Sequence, residues 1–130
     1  MMTEQVAQAV RTLGARSSAL TWSEVPDGVK DRTLLVVFDT LGVMMAGAGI
    51  PEVRGFADGH EEIGVAPLAG LGRRSTAEAS CWVNGTAVCS LELDEGSKYA
   101  RGHPAAHVIP AALACGEDHD GAVTTDRKRR

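Results

Sequence analysis

The sequence predicts an all-α fold. Two observations predict it: apolar residues recur at three- and four-residue spacings, and helix-start signals stand at Thr3, Pro26, Ser75 and Pro104. The 130 residues suffice for one small domain, and a chain of this length can bury a core. Aromatics are only 4 % and Gly numbers 15, so that core is lean and built from small side chains.

A first helix starts at the Thr3 cap, with Val6, Ala9, Val10 and Leu13 on one face and Gly14 fitting its end. Residues 15–24 read as a polar connector, with Trp22 anchoring it against the core. The strongest helical signal covers residues 26–47. Pro26 suits a first turn, Asp27 offers a carboxylate to the free N–H groups, and the segment from Val29 to Met45 is apolar nearly all round. That pattern places it in the middle of the domain. Glycines at 42, 47 and 49 let neighbours approach and end the helix, and Asp39 within it calls for a local hydrogen bond.

A short helix follows over residues 51–62, with Glu52, Glu61 and Glu62 outward, and then a short extended piece at 65–71. Arg73 and Arg74 read as a solvated pair in a loop. Ser75 with Glu78 three residues on is a capping box that opens a helix carrying Cys81, Trp82, Val88 and Cys89 and reaching toward Leu91. His103-Pro104 opens the last helix, which Pro110 should kink. The apolar pattern stops near Asp118, so residues 1–117 are read as the domain and 118–130 as a disordered tail with a basic end.

Composition narrows the function classes. A net charge of −4 disfavours nucleic acid as a partner, no apolar run reaches membrane-span length, and the N-terminus lacks the pattern of a secretory signal. Cys81, Cys89 and Cys115 form no CxxC and read as reduced core thiols of a cytoplasmic protein.

The densest chemistry lies in residues 91–107: Glu92, Asp94 and Glu95, then Lys98 and Arg101, then His103 and His107. His103 caps a helix whose first turn offers N–H donors and partial positive charge to a carboxylate ligand, and His107 lies one turn on. Carboxylates beside imidazoles supply an acid and a base of different strength, which proton abstraction next to a carboxylate requires. Two plainer readings stand beside this one: a solvated loop between helices, and a His-Pro pair that only starts a helix. A metal reading of His103 and His107 lacks HExxH, because position 104 is Pro, and no metal is expected.

Three stretches, in order, resemble the N-terminal part of the MmgE/PrpD family: VPDGVKDRTLLVVFDTLGVMMAGAG with Asp39 and Gly42, STAEASCWVNGTAVCSLELDEG with Asn84 and Gly85, and RGHPAAHVIPAALA. The family holds 2-methylcitrate dehydratase, cis-aconitate decarboxylase and related lyases and epimerases of small polycarboxylates. The resemblance implies a mainly helical domain, a homo-oligomer, no cofactor, no required metal, and a polycarboxylate as small-molecule partner. It implies catalytic roles for His103, Asp94 and Glu92 and a place in the substrate pocket for Glu95; His107 and Arg101, from the cluster at residues 91–107, are read as substrate-binding beside them. Glu92 stands where many members have Asp, Gly96 where some have Thr, and Cys89 where many have His, which points to a different substrate. Full members are several times longer, so a truncated or frame-shifted product is expected. The alternative reading is a non-catalytic remnant or a helical dimerisation module.

Overall fold

The computed structural model describes residues 2–60, 63–99 and 101–127, with the side chains of residues 2 and 118–127 left aside. Its chain forms two compact units, Met1–Leu34 and Leu35–Arg130, and the division falls inside a helix. Mainly helical architecture is observed, as the sequence predicts, together with one small two-stranded sheet.

In the first unit, helix α1 spans Met2–Ala19. It passes through Gly14 rather than ending there. Gly costs about 1 kcal/mol in a helix but does not stop one, and Ala15, Arg16 and Ala19 are residues with good or acceptable helix propensity. The expected connector is therefore shorter. It tightens into a 3₁₀ turn at Trp22–Glu24, where the Thr21 backbone N–H donates to Glu24 Oε2 at 2.8 Å and its hydroxyl donates to the same oxygen at 2.7 Å. These two bonds hold the Glu24 carboxyl below the usual carboxylate range. Trp22 does not anchor into a core: it is 57 % exposed, with Lys30 Nζ 5.9 Å from its ring centroid.

Helix α2, Asp27–Gly47, runs on into the second unit. There follow α3 (Pro51–Asp58), β1 (Ala66–Leu68), β2 (Arg73–Ser75), α4 (Ala77–Cys89) and α5 (Pro104–Arg127). The expected placing of α2 at the centre is corrected. Only Thr40, Val43, Met44 and Gly47 of α2 are buried, all in its C-terminal half, and Phe38 is 79 % exposed. Asp39 is exposed, and its side chain makes no hydrogen bond among the described residues. The central helix is α4, whose Ala79, Ser80, Val83, Asn84, Ala87 and Val88 are buried and which packs on α3, α5 and both strands. One core cluster joins Met44, Ala48, Val53, Ala87, Val88 and Ala106; a second joins Ala57, Leu68 and Val83. Small residues allow this packing. A Cβ on Gly47 would lie 1.9 Å from the Ala87 carbonyl oxygen, so α2 and α4 meet backbone to side-chain-free backbone.

The antiparallel pair β1–β2 registers Ala66 with Ser75 and Leu68 with Arg73. Its connection uses Gly70 and Gly72 at φ +74° and +67°, which side-chain-bearing residues disfavour. The Arg73-Arg74 loop of the sequence reading is thus a strand, and its arginines are paired. Arg73 Nη2 lies 2.7 Å from Asp58 Oδ1, and Arg74 donates to the Val65 carbonyl and lies 3.6 Å from Glu117. The capping position is also one residue later than predicted. Ser75 is consumed as a buried strand residue, and Thr76 Oγ1 accepts from the Ala79 N–H at 3.2 Å. Helix α4 stops at Cys89 instead of reaching Leu91. Pro110 lies fully buried inside α5 without ending it. Helix α5 continues through residues 118–127, so the fading of the apolar pattern is not a break in the backbone. Glu61 and Glu62, expected on α3, lie outside the described residues.

Candidate functional site

Between α4 and α5 the chain must turn with few apolar residues to bury, and it does so by pairing polar groups across the turn. Ser97 and Gly102 form one antiparallel bridge, Ser97 N–H to Gly102 O at 2.9 Å and Gly102 N–H to Ser97 O at 3.4 Å. That bridge folds Lys98, Tyr99 and Arg101 to the exposed tip, where Lys98 Nζ sits 5.1 Å from the Tyr99 ring centroid. Behind the bridge, the two ends of the loop meet at Asp94 and His103.

His103 precedes the first residue of α5, as its Pro104 neighbour predicts. Its Nδ1 lies 3.2 Å from Asp94 Oδ2 and 3.3 Å from the Asp94 carbonyl oxygen. The Asp94 side chain is 10 % exposed and that of His103 54 %. Both acceptors face the same ring nitrogen, so Nδ1 carries the proton and donates. Nε2 is left with its lone pair, or with a second proton when the ring is charged. This is the geometry of an oriented imidazole, with a shielded carboxylate behind it and an open side in front.

Glu95, expected to bind substrate, is turned toward the start of α5. Its Oε2 accepts from the Ala105 N–H, in the first turn of α5, at 3.4 Å. The helix start that was to receive a substrate carboxylate is already capped by the protein's own carboxylate. Glu92 is exposed at φ 54°, and Arg101 at φ 51°. Neither side chain makes a hydrogen bond or an ion pair among the described residues, so both remain open to a ligand. His107 is exposed one turn along α5, and among the described residues no hydrogen bond or ion pair joins it to the His103–Asp94 pair. Among the described residues no group of three His, Cys, Asp or Glu side chains is placed to hold a metal ion.

Next to this loop, α4 and α5 enclose an open groove of about 590 Å³, lined by Cys81, Trp82, Gly85 and Cys89 from α4 and by His107 and Pro110 from α5. The thiols are not core residues as expected: Cys81 is half-buried, and Cys89 and Cys115 are exposed. Desolvation pushes the Cys89 thiol above its ordinary pKa, and the negative charges of Asp94 and then Glu92 push it the same way.

Asn84 is the residue whose role the sequence did not reveal. It is 4 % exposed, its Oδ1 accepts from the Ala69 N–H at 2.9 Å, and its Nδ2 donates to Pro67 O at 2.9 Å and Ser80 Oγ at 3.0 Å. It ties the β1–β2 connection to α4. The prior signals are its place in the Asn84-Gly85 pair of the family resemblance and an amide in the middle of a mostly small and apolar helix.

These features define a helical domain with an oriented His–Asp pair at the start of its last helix. The family model described as the MmgE/PrpD N-terminal domain matches residues 11–126, and the chain belongs to that family. The match runs beyond residue 117, where the sequence reading placed the domain's end. No curated protein and no solved structure matches the chain. Among the described residues no single helix is long and apolar enough to cross a membrane.

Proposed function

We propose that the chain supplies the proton-transfer element of a cofactor-independent lyase acting on small hydroxy-polycarboxylates such as 2-methylcitrate. One observation carries the reading: the 3.2 Å contact between His103 Nδ1 and a mostly shielded Asp94 carboxylate, with the imidazole facing outward. Family membership supports it. In a dehydration, the C–H bond next to a carboxylate breaks and its electron pair becomes the new double bond. The C–O bond on the adjacent carbon breaks, and the hydroxyl takes a proton and leaves as water.

In this reading the His103 imidazolium delivers that proton from Nε2, and Asp94 stabilises the charged ring through Nδ1. Glu92, unpaired on the same loop, accepts the proton from carbon. Arg101 and Lys98, at the loop tip, attract the substrate carboxylates. A positioned acid or base contributes about 10²–10⁴-fold, equivalent to roughly 3–5 kcal/mol of barrier. Glu95 holds the helix start rather than the substrate. The three free thiols fit a reducing compartment, and the cytoplasm belongs to the same proposal.

The test compares His103→Ala and Asp94→Asn with the parent protein. Binding of citrate and 2-methylcitrate is read by calorimetry, turnover by the absorbance of the unsaturated product, and the melting temperature separately. Both variants are expected to weaken binding or turnover at least tenfold with the melt nearly unchanged. Equal binding and turnover in both variants, or losses that follow unfolding alone, would refute the assignment.

A further inference from the structure

The groove between α4 and α5 adjoins the His103 loop at one end and differs from it in chemistry. His107 lines it one helical turn beyond His103, about 6 Å along the axis. Cys89, at the corresponding end of α4, lies close enough to Asp94 and Glu92 to feel their charges. From there the groove follows α4 back to Cys81, eight residues or about 12 Å.

Its walls are mainly apolar, and both hydroxyls on them already donate to backbone carbonyls of α4. Thr86 Oγ1 donates to Trp82 O at 2.8 Å, and Ser90 Oγ donates to Thr86 O at 2.6 Å. Desolvation, and then the charges of Asp94 and Glu92, disfavour the thiolate form of Cys89. Trp82 presents an exposed indole and Pro110 a ring, while Gly85 leaves open space where any other residue would project: a Cβ there meets nothing within 4 Å. His107 is the one titratable base on the groove's lining, and it stands at the end nearest His103.

We infer that this groove binds an alkyl substituent of the substrate. The ligand would then be a hydroxy-polycarboxylate whose polar head lies at His103 and whose hydrocarbon tail, longer than a methyl group, lies along Trp82, Gly85 and Cys89. The inference rests on the reading of His103 given above and adds to it a substrate class. An apolar wall with its hydroxyls turned inward gains nothing from a small, fully polar ligand. It gains in proportion to the hydrocarbon it covers.

The experiment measures binding of citrate and of a series of 2-alkylcitrates, from methyl to hexyl, by calorimetry on the full chain. Affinity is expected to rise about three- to fourfold per methylene, the fold-change that ~0.8 kcal/mol per buried CH₂ represents, until the groove is filled. Gly85→Leu fills the groove from a position with free space, and Trp82→Ala strips its wall at an exposed site. Both should flatten that rise. The longer homologues should also slow alkylation of Cys89 by iodoacetamide more than citrate does.

Citrate binding with no dependence on tail length overturns this inference alone. Failure of every member of the series to bind overturns it together with the assignment of His103. A flat series in which Gly85→Leu shifts the sedimentation coefficient means that a second copy of the chain covers the groove, which overturns it as well.

Discussion

Replacing Asn84 tests whether the fold that positions the site depends on one buried amide. In Asn84→Ala the Ala69 N–H loses its acceptor, and Pro67 O and Ser80 Oγ lose a donor. Pro67 O keeps the Ser80 hydroxyl at 2.8 Å, so the Ala69 N–H is the group left stranded. At about 1 kcal/mol for each hydrogen bond the loss is about 3 kcal/mol. A domain of this size has only about 5–15 kcal/mol in total. With a urea slope of about 1–3 kcal/mol/M, the midpoint should fall by about 1–3 M. The assay is urea unfolding followed by far-UV circular dichroism.

Asn84→Asp sharpens the test. It keeps an acceptor for Ala69 but turns a carboxylate toward the Pro67 carbonyl, and burial raises that carboxyl's pKa in the folded state above the unfolded value of about 3.9. The native state then binds more protons than the unfolded state between those two values. The variant is therefore most stable below the unfolded pKa and loses stability as pH rises through the folded one. A loss below about 0.5 kcal/mol in Asn84→Ala, or an Asn84→Asp variant without recovery in acid, would refute this account of the clamp.

Three further outcomes are expected. Gly47→Ala should cost 1–3 kcal/mol or more by forcing apart α2 and α4, since its Cβ would lie 1.9 Å from a backbone oxygen, whereas Gly42→Ala, with open space, should gain about 0.5–1 kcal/mol; thermal melts separate the two. The pH midpoint for alkylation of Cys89 should lie above the ordinary thiol range and move down in Asp94→Asn and Glu92→Gln; an unmoved midpoint would remove the two carboxylates as a cause. Leu35, Phe38 and Met45 expose a broad apolar face on α2, so the chain should self-associate with rising concentration, and Phe38→Asp should oppose this; a monomer at all concentrations by sedimentation would refute it.

What the sequence makes legible is local. Pro51 and Pro104 mark helix starts because proline's fixed φ and missing N–H suit a first turn. Periodicity marks α2 and α4 to within a few residues. The His103 position was legible for the same reason. What stayed hidden depends on partners far along the chain. Arg73 and Arg74 look like loop residues until Asp58 and Glu117 are placed beside them. Ser75 looks like a cap until pairing with Ala66 draws it into a strand and leaves the cap to Thr76. Asn84 looks like a poor choice for a helix interior until the β1–β2 connection arrives with an unpaired N–H and carbonyl. Within the site, the sequence places three carboxylates in one short run, and geometry separates their surroundings: Asp94 turns to His103, Glu95 to the Ala105 N–H, and Glu92 outward.

That division explains where the loop carries its strain. The described residues other than glycine with positive φ are Glu92 and Arg101, and they bracket the segment that holds Asp94 and Glu95. A side chain in this conformation costs about 1–2 kcal/mol that glycine would not incur. Three interactions oppose the cost: the Asp94–His103 contact, the Ser97–Gly102 bridge and the Glu95 cap on α5. All three lie at or between the strained residues or at the helix start, so relaxing either end would loosen the carboxylate partner of the imidazole. The loop is therefore not a passive connector trimmed to length. Its ends sit in an unfavourable backbone conformation with charged side chains pointing to solvent, while its middle fixes one imidazole tautomer. That combination is useful to a site that must hold an acid in place while leaving a carboxylate and a guanidinium free for a ligand.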